Sequence, residues 1–468
     1  MQRVLLTHFL HFSRIANSDL NPPFLLLPFT SEYIMITPQT LKGFRDYLPE
    51  TMIPRRQIIN AAAEVYESFG FAPIDTPALE YLEILQGKGS DETDKQMYKF
   101  QDAGGRNVGM RFDLTVPLAR FSAQHINELG TPFKRYHIAP VWRGENTQHG
   151  RYREFVQCDF DTIGTTGVES DIEAVLVIYT LFCRLGFKDQ FVIHVNNRQI
   201  LNGVLETMNL RDKSVSVLRA IDKLPKVGAE KVIEELKQTA GATDEQCESL
   251  LAMASLTGTN DDVLARLSEI ASGSELAQAG IARLRQILDG AAAAGIADSA
   301  VQIDLSIARG LDYYTGVIFE TFLTELPKIG SVCSGGRYDN LAELYTKQQL
   351  PGIGASLGLD RLLAAMEELG KLPDAKTPAD VLILFFDAER LNDYIKMSVE
   401  LRNAGVKVEL YPEPKKIKAQ MQYADRKGFK YVVIAGSKEF EEGKVQIKNL
   451  ADGSQRDVPL TELATAFK

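Results

Sequence analysis

The chain has 468 residues, enough for about two to four domains at roughly 100–200 residues each, and its 45% apolar and 24% charged content is that of a globular protein. No apolar run approaches the roughly 18 residues that span a bilayer, and four cysteines without a C-x-x-C pair exclude a disulfide scaffold and a cysteine-based zinc site. A formal charge of −10 argues against a non-specific nucleic-acid coat while leaving room for a local basic patch; the composition is that of a cytoplasmic multidomain enzyme or binding protein.

Residues 1–34 differ from the rest, with the apolar clumps VLLTHFLHF and FLLLPF broken by polar residues and prolines. No unbroken apolar core and no small-residue cleavage site mark a signal peptide. Three readings fit: a disordered extension or mis-called start ahead of Met35, a targeting segment, and an ordered arm. The fold reading therefore begins at Met35.

Residues 52–69 carry apolar groups at helical spacing and stop at Gly70; FAPIDTPALE then reads as extended, with Pro77 at a strand edge or end. KRYHIAPVWRGE and REFVQCDFDTIG, joined by the polar NTQHGRY, form a long antiparallel hairpin. A helix over 169–186 and the strand QFVIHVN follow. From 200 to 299 the chain becomes rich in Ala, Leu, Glu and Lys and reads as a self-contained helical insertion. Strands resume at VQIDLSIA, GVIFETFL, SVCSGGRYDNL and GIGASLG, the last running into the helix LDRLLAAMEEL. After the linker KLPDAKTP, the strands ADVLILFF, VKVELY and KYVVIAG alternate with helices, and KVQIKNL closes a small α/β domain.

The phosphate-binding G-x-x-x-x-G-K-[ST] string, the G-x-S-x-G elbow and the H-E-x-x-H helix are all missing from the sequence. What stands out is arginine on strands and beside turns: Arg143, Arg151, Arg153, Arg309 and Arg361. Guanidinium forks grip phosphate oxygens and stack on flat rings, and Phe155 lies near enough in sequence to cover a purine. Taken singly, each arginine also fits a surface charge or half of a salt bridge. Strand alternation puts Phe155, Gln157, Asp159 and Asp161 on one face of the hairpin. Together with Asp113, Thr115, Tyr313 and Tyr314 they could meet a cationic amine or an imidazole N–H; a sheet with its polar face in water fits the same pattern.

VWRGENTQHGRYREF closely resembles motif 2 of the class II aminoacyl-tRNA synthetases, GIGASLGLDRL resembles motif 3, and the first helix with FAPIDTPALE resembles motif 1. ARGLDYYTGVIFE (308–320) and SVCSGGRYDNL (331–341) resemble segments of the histidyl-tRNA synthetase family in particular, and the resemblance runs from Met35 to Lys468. It implies an α+β fold: a class II antiparallel sheet with flanking helices, a helical insertion, and a C-terminal α/β anticodon-binding domain. The expected divisions are a catalytic domain in two parts, 35–199 and 300–370, an insertion at 200–299 and an anticodon-binding domain at 378–468.

Carried over residue by residue, the resemblance implies that Arg143 holds the α-phosphate of ATP, Glu145 accepts from the adenine amino group, Arg151 meets the γ-phosphate, and Phe155 and Arg361 sandwich the adenine. Arg309 would approach the α-phosphate and substrate carboxylate from the opposite side, so Arg143 and Arg309 carry catalysis. Asp113, Thr115 and Gln157 would bind the α-amino group of histidine, and Asp161 and Tyr314 the two imidazole nitrogens, with Tyr313 lining the pocket. Some family members carry glutamate where this chain has Asp113 and Asp161, so reach differs there.

The implied reaction forms histidyl-adenylate and pyrophosphate from histidine and ATP, then transfers histidine to the 3′ end of tRNA(His) with release of AMP. Mg²⁺ would bridge the outer phosphates, with no metal ligand assigned among protein side chains. Residues 412–430 carry six basic and two acidic groups, and Lys415, Lys416 and Lys418 are the candidate tRNA contacts; an ordinary solvated helix fits the same composition. The resemblance also implies a cytoplasmic homodimer joined through the motif 1 region. The alternatives are a histidine- or tRNA-sensing paralogue without charging activity, and a ligase that passes its adenylate to another acceptor.

Overall fold

The hairpin that the sequence marks so strongly becomes the spine of the molecule. The computed structural model describes residues 36–467 apart from 88–90, 222, 308–312 and 373–375. The chain divides into two units, Met1–Thr40 and Leu41–Lys468, and all the strands and helices below belong to the second. The expectations for residues 1–34 lie outside the described residues.

Strand β1 (Ala72–Pro73) comes first, and β2 (Leu79–Tyr81), β3 (Lys99–Gln101) and β4 (Asn107–Met110) make a small sheet in the order β2-β4-β3. The strands β5 (Phe133–Trp142), β6 (Glu154–Ile163), β7 (Phe191–Asn197), β8 (Val301–Ile303), β9 (Val317–Leu323), β10 (Cys333–Tyr338) and β11 (Gly352–Gly358) follow. With β1 they form an eight-stranded sheet of order β1-β5-β6-β11-β10-β9-β7-β8. It is antiparallel through its centre, with parallel pairs only at its two edges, β1 with β5 and β7 with β8.

β6 is central and separates its side chains by parity. Val156, Cys158 and Phe160 enter the main hydrophobic core, while Gln157, Asp159 and Asp161 face a cavity on the other side. The core side is covered by the helices Pro49–Ser68 and Val168–Arg184. The first begins with proline at its start, where the missing N–H costs nothing, and buries Ile58, Ala62, Val65 and Tyr66 at helical spacing. The Tyr66 hydroxyl donates to the Cys158 carbonyl at 2.9 Å, tying this helix to the middle of β6.

The stretch from 200 to 299 is helical throughout its regular structure apart from one 3₁₀ turn near each end. Its core is continuous with that of the sheet: Ile200, Val204, Leu284 and Ile287 belong to the same buried cluster as Val156 and Phe182, as do Leu236 and Leu250 farther out. The helix Glu275–Ala293 packs on Val168–Arg184 and on β7. Such amphipathic segments look self-contained in sequence because periodicity shows which face is apolar and not what covers it.

The C-terminal part builds its own core around a mixed sheet of β12 (Val381–Ile383), β13 (Val408–Leu410), β14 (Tyr431–Ile434), β15 (Lys444–Asn449) and β16 (Gln455–Pro459), in the order β13-β12-β14-β15-β16. The sequence reading ends the strands at KVQIKNL; β16 is the correction. It pairs antiparallel with β15 as an edge strand, and of its side chains only Val458 is buried, so it carries almost no apolar alternation to read.

Candidate active site

Cross-strand register assembles the site. Arg135, Asp161, Gly354 and Gly336 are successive partners across β5, β6, β11 and β10. His137, Asp159, Ser356, Ser334, Glu320 and His194 form the next row, one pleat closer to the β5–β6 turn. Glycine is required in the first row: a Cβ on Gly354 would collide with the Asp161 carboxylate, and one on Gly336 would sit 3.0 Å from the Tyr314 ring. The two glycines make a flat floor.

Over that floor lies a cavity of about 180 Å³, walled by Thr115, Gln157, Asp159, Asp161, Tyr313, Tyr314 and Tyr338 among others. Asp161 is anchored from behind, with one oxygen 2.6 Å from the Arg135 guanidinium and the other accepting from the Tyr338 hydroxyl. Arg135 has no exposed surface, and Asp159 and Asp161 are nearly as buried. Burial raises the pKa of both carboxyls; Arg135 opposes that rise, and Asp161 adds to it at Asp159. Burial also holds the Tyr314 phenol far above its ordinary range, helped by Asp161 and Asp159. A group entering this cavity meets a negative, largely desolvated wall.

A second cavity of about 110 Å³ adjoins it, sharing Arg143, Gln157, Ser334 and Ser356 with the first. Its other walls include Glu145, Arg151, Phe155 and Arg361. Arg143 is held by its Nε–H donating to the Phe112 carbonyl at 3.1 Å, with its guanidinium 4.4 Å from the Phe112 ring and 5.0 Å from that of Phe155. Arg361 donates to the Ser331 carbonyl. Burial, then Arg151 and Arg143, pull its pKa down to about 10, so it remains a cation at neutral pH. Gly150 reaches the tip of the 143–153 loop with φ +72° and lies where a Cβ would be 3.4 Å from the Arg361 Cα, which lays the loop on the following helix and brings Arg151 alongside. Arg151 is 3.9 Å from Glu145.

The helix Leu359–Glu368 is fixed by Asp360, whose carboxylate accepts from the Tyr47 hydroxyl, the Val156 N–H at 2.8 Å and the Arg55 guanidinium at 3.3 and 3.4 Å. One buried carboxylate thus links the first helix, β6 and the base of Arg361. On β10 parity divides Arg337 from Tyr338: the arginine leaves the cavity and binds Asp171 at 2.7 Å on the helix Val168–Arg184, while the tyrosine faces Asp161.

The chain from 43 to 362 matches the family model described as histidyl-tRNA synthetase, and 380–468 matches that of an anticodon binding domain. The chain belongs to the histidyl-tRNA synthetase family. It is 63% identical over 424 residues to a histidine–tRNA ligase of Rhodopirellula baltica, covering 91% of this chain and 96% of that one. It is 45% identical to that of Wolinella succinogenes, with the same coverage. The crystal structure of histidyl-tRNA synthetase from Nostoc sp. PCC 7120 superposes with a TM-score of 0.83 at 35% identity, over 92% of this chain and 99% of the other.

For a histidyl-tRNA synthetase, the segments singled out in sequence converge. Arg143, Glu145, Arg151, Phe155 and Arg361 share the second cavity, and Thr115, Gln157, Asp161, Tyr313 and Tyr314 share the first. Asp113 is set back from the wall: its Oδ1 accepts the Thr115 and Val116 N–H groups at 3.1 and 2.9 Å, capping the helix Thr115–Leu129. Arg309 lies outside the described residues. Arg153, noted beside Arg151, is turned away to the Glu145 and Lys42 carbonyls, both at 3.3 Å.

Sequence reasoning placed Asp159 on the polar face of the hairpin without a specific contact, and gave no role to Tyr338, Arg135, Ser334, Ser356 or Glu320. Parity along REFVQCDFD signals Asp159; the others require the register between strands far apart in the chain. In the C-terminal domain, Lys415 pairs with Glu413 at 2.5 Å, and Lys416 and Lys418 are exposed at the start of the helix Ile417–Lys427. Buried Gln420 fixes the approach to that helix, bonding Phe385 through both N–H and carbonyl and the Lys415 carbonyl at 2.7 Å.

Proposed function

We propose that this chain ligates histidine to tRNA(His) in two steps through the adjoining cavities. The observation that carries the reading is the adjacency of two unlike chambers with four residues in common: a carboxylate- and phenol-lined pocket on a glycine floor, beside a chamber lined by Arg143, Arg151, Arg361 and Phe155. A small cationic, ring-bearing amino acid suits the first, and a nucleoside triphosphate suits the second.

Histidine would seat its imidazole between Asp161 and Tyr314, with Tyr313 beside it, and its α-amino end toward Thr115 and Gln157, with Asp113 acting through the helix it caps. Tyr338 and Arg135 fix Asp161 in place, so the ring finds preset partners, and side chains lacking two ring nitrogens would leave buried polar groups unpaired. A discrimination of about 10⁴-fold or more follows from such a site without editing.

ATP would lay its adenine between Phe155 and Arg361, its amino group toward Glu145, its γ-phosphate toward Arg151 and its α-phosphate at Arg143. The histidine carboxylate attacks the α-phosphorus and the bond to pyrophosphate breaks; the tRNA terminal hydroxyl then attacks the carbonyl carbon and AMP leaves. Arg143 on one side and Arg309 on the other would neutralise the charge that builds on the α-phosphoryl oxygens. Among the described residues no group of three or more His, Cys, Asp or Glu is placed to cage a metal. Mg²⁺ suits the site as a companion of the nucleotide's own outer phosphates, where it would neutralise charge.

We assign 35–199 with 300–370 to catalysis, 200–299 to the insertion and 378–468 to tRNA anticodon binding, with Lys415, Lys416 and Lys418 as phosphate contacts. Three lysines at a helix start oppose the helix dipole, an arrangement that a bound phosphate would relieve. A cytoplasmic homodimer is the working assembly; no helix among the described residues is long and apolar enough to cross a membrane. Histidine-dependent exchange of pyrophosphate into ATP tests the first step: the reading expects exchange with histidine alone among amino acids, and exchange with another amino acid would refute it.

A further inference from the structure

We infer that Arg198, at the root of the helical insertion, is a positioning residue that sets Tyr314 through its backbone and so ties the amino-acid pocket to the insertion; this rests on the proposed histidine site. Arg198 is buried, follows the last residue of β7 and opens the helix Arg198–Thr207. It is not among the residues that wall either chamber, so any effect it has on substrate is carried by another group.

That group is on the page. One guanidinium nitrogen of Arg198, Nη1, donates to the Tyr314 carbonyl at 2.8 Å, and the Arg198 main-chain N–H donates to the Gly316 carbonyl at 2.9 Å. The guanidinium carbon also lies 5.9 Å from the centre of the Tyr314 ring. Between the two carbonyls, Thr315 is anchored to the sheet instead: its N–H donates to the Arg337 carbonyl at 2.7 Å and its hydroxyl to the Asp339 carboxylate at 2.8 Å. The backbone that carries Tyr314 is thus gripped from two directions. The sheet holds Thr315, and the Arg198 side chain holds the carbonyl of Tyr314 itself.

The two residues before Arg198 fix its own place. The Asn197 side chain accepts from the Gln199 N–H at 3.0 Å, capping the helix, and donates to the Gly280 carbonyl at 3.3 Å on the helix Glu275–Ala293. The approach there is close: a Cβ on Gly280 would sit 3.2 Å from the Ile200 nitrogen. The Asn196 amide donates to the Ile307 and Leu305 carbonyls at 3.1 and 3.4 Å. Three consecutive residues therefore join the first and last α-helices of the insertion to the segment that carries Tyr314. A shift of about 1 Å in a positioned group can cost on the order of 100-fold in rate, so the anchor of that carbonyl acts on the pocket without touching substrate.

The test is Arg198→Met, which keeps the stem and removes the donors, beside Arg198→Lys, which keeps a charge and a donor. Both are read by histidine- and ATP-dependent pyrophosphate exchange. The inference expects KM for histidine to rise on the order of 10-fold in Arg198→Met, with KM for ATP unchanged. Arg198→Lys should show a smaller rise of about 2- to 3-fold, again for histidine alone, because one compact head replaces the planar fork. Added to Tyr314→Phe, Arg198→Met should raise KM little further, since both act on one contact. Full additivity of the two substitutions would overturn the inference, as would an unchanged KM for histidine or equal rises for both substrates. If circular dichroism shows Arg198→Met unfolded, the Lys variant decides on the same criterion: a rise confined to histidine supports the inference, and a rise in both or neither overturns it. Failure of both variants to fold would make Arg198 a support of the whole fold and also overturn it. Absence of histidine-dependent exchange in the unsubstituted protein would instead refute the proposed function itself.

Discussion

The Arg135 guanidinium lies 2.6 Å from the Asp161 carboxylate; Asp161 lines the cavity, and Arg135 is fully buried behind it. The pair places a fixed, oriented acceptor at the bottom of the pocket, with Tyr338 holding its second oxygen. Breaking such a pair from one side leaves the other charge buried and alone. Arg135→Met is therefore expected to cost about 3–5 kcal/mol of stability and to abolish histidine binding. Urea unfolding with a histidine titration checks both, and a loss under about 1 kcal/mol would mean that the pair is not the anchor described.

Asp159 should make stability depend on pH in an unusual direction. Burial raises its folded-state pKa above the ordinary aspartate range. The folded protein therefore holds a proton that the unfolded chain has already lost, and the stability this confers is present at low pH and declines as pH rises through the folded-state value. Asp159→Asn should melt higher than the unsubstituted protein at pH 8 without ligand, and the gap should close near pH 4. A lower melting temperature at pH 8 would show that the free carboxylate is already satisfied.

Asp360 joins three elements, so its removal should act on both fold and nucleotide. Asp360→Ala strands the buried Arg55 guanidinium and leaves the Val156 N–H and the Tyr47 hydroxyl without their acceptor. An expected loss of about 3–5 kcal/mol should come with a raised KM for ATP, because Arg361 follows on the same turn. Unfolding by denaturant and exchange kinetics separate the two, and a stable variant with unaltered ATP dependence would contradict the linking role.

Tyr314→Phe removes the phenol proposed to meet an imidazole nitrogen while leaving the ring on Gly336. It should raise KM for histidine by about 10-fold or more and leave KM for ATP nearly unchanged. Equal effects on both substrates would argue against a contact with the ring.

What could be read from the sequence follows from the range of the interactions. Gln157 and Asp161 were legible because parity along one strand puts them on one face, and that face was then found lining the cavity. Arg143, Phe155 and Arg361 were legible as charges and a ring beside turns. Arg135, Tyr338 and Ser356 were not, because their approach to Asp161 and Asp159 is set by register between strands up to about two hundred residues apart. The capping by Asp113 was hidden for a different reason: a carboxylate before a helix looks the same whether it serves the helix or a ligand. β16 escaped because an edge strand with one buried residue has no periodicity to detect.

The most direct test of the account is ATP-dependent charging of total tRNA, with each labelled amino acid offered in turn. Charging with histidine and with no other is the predicted result. A folded protein that binds histidine and ATP yet charges no tRNA would contradict the account and leave a sensing role in its place.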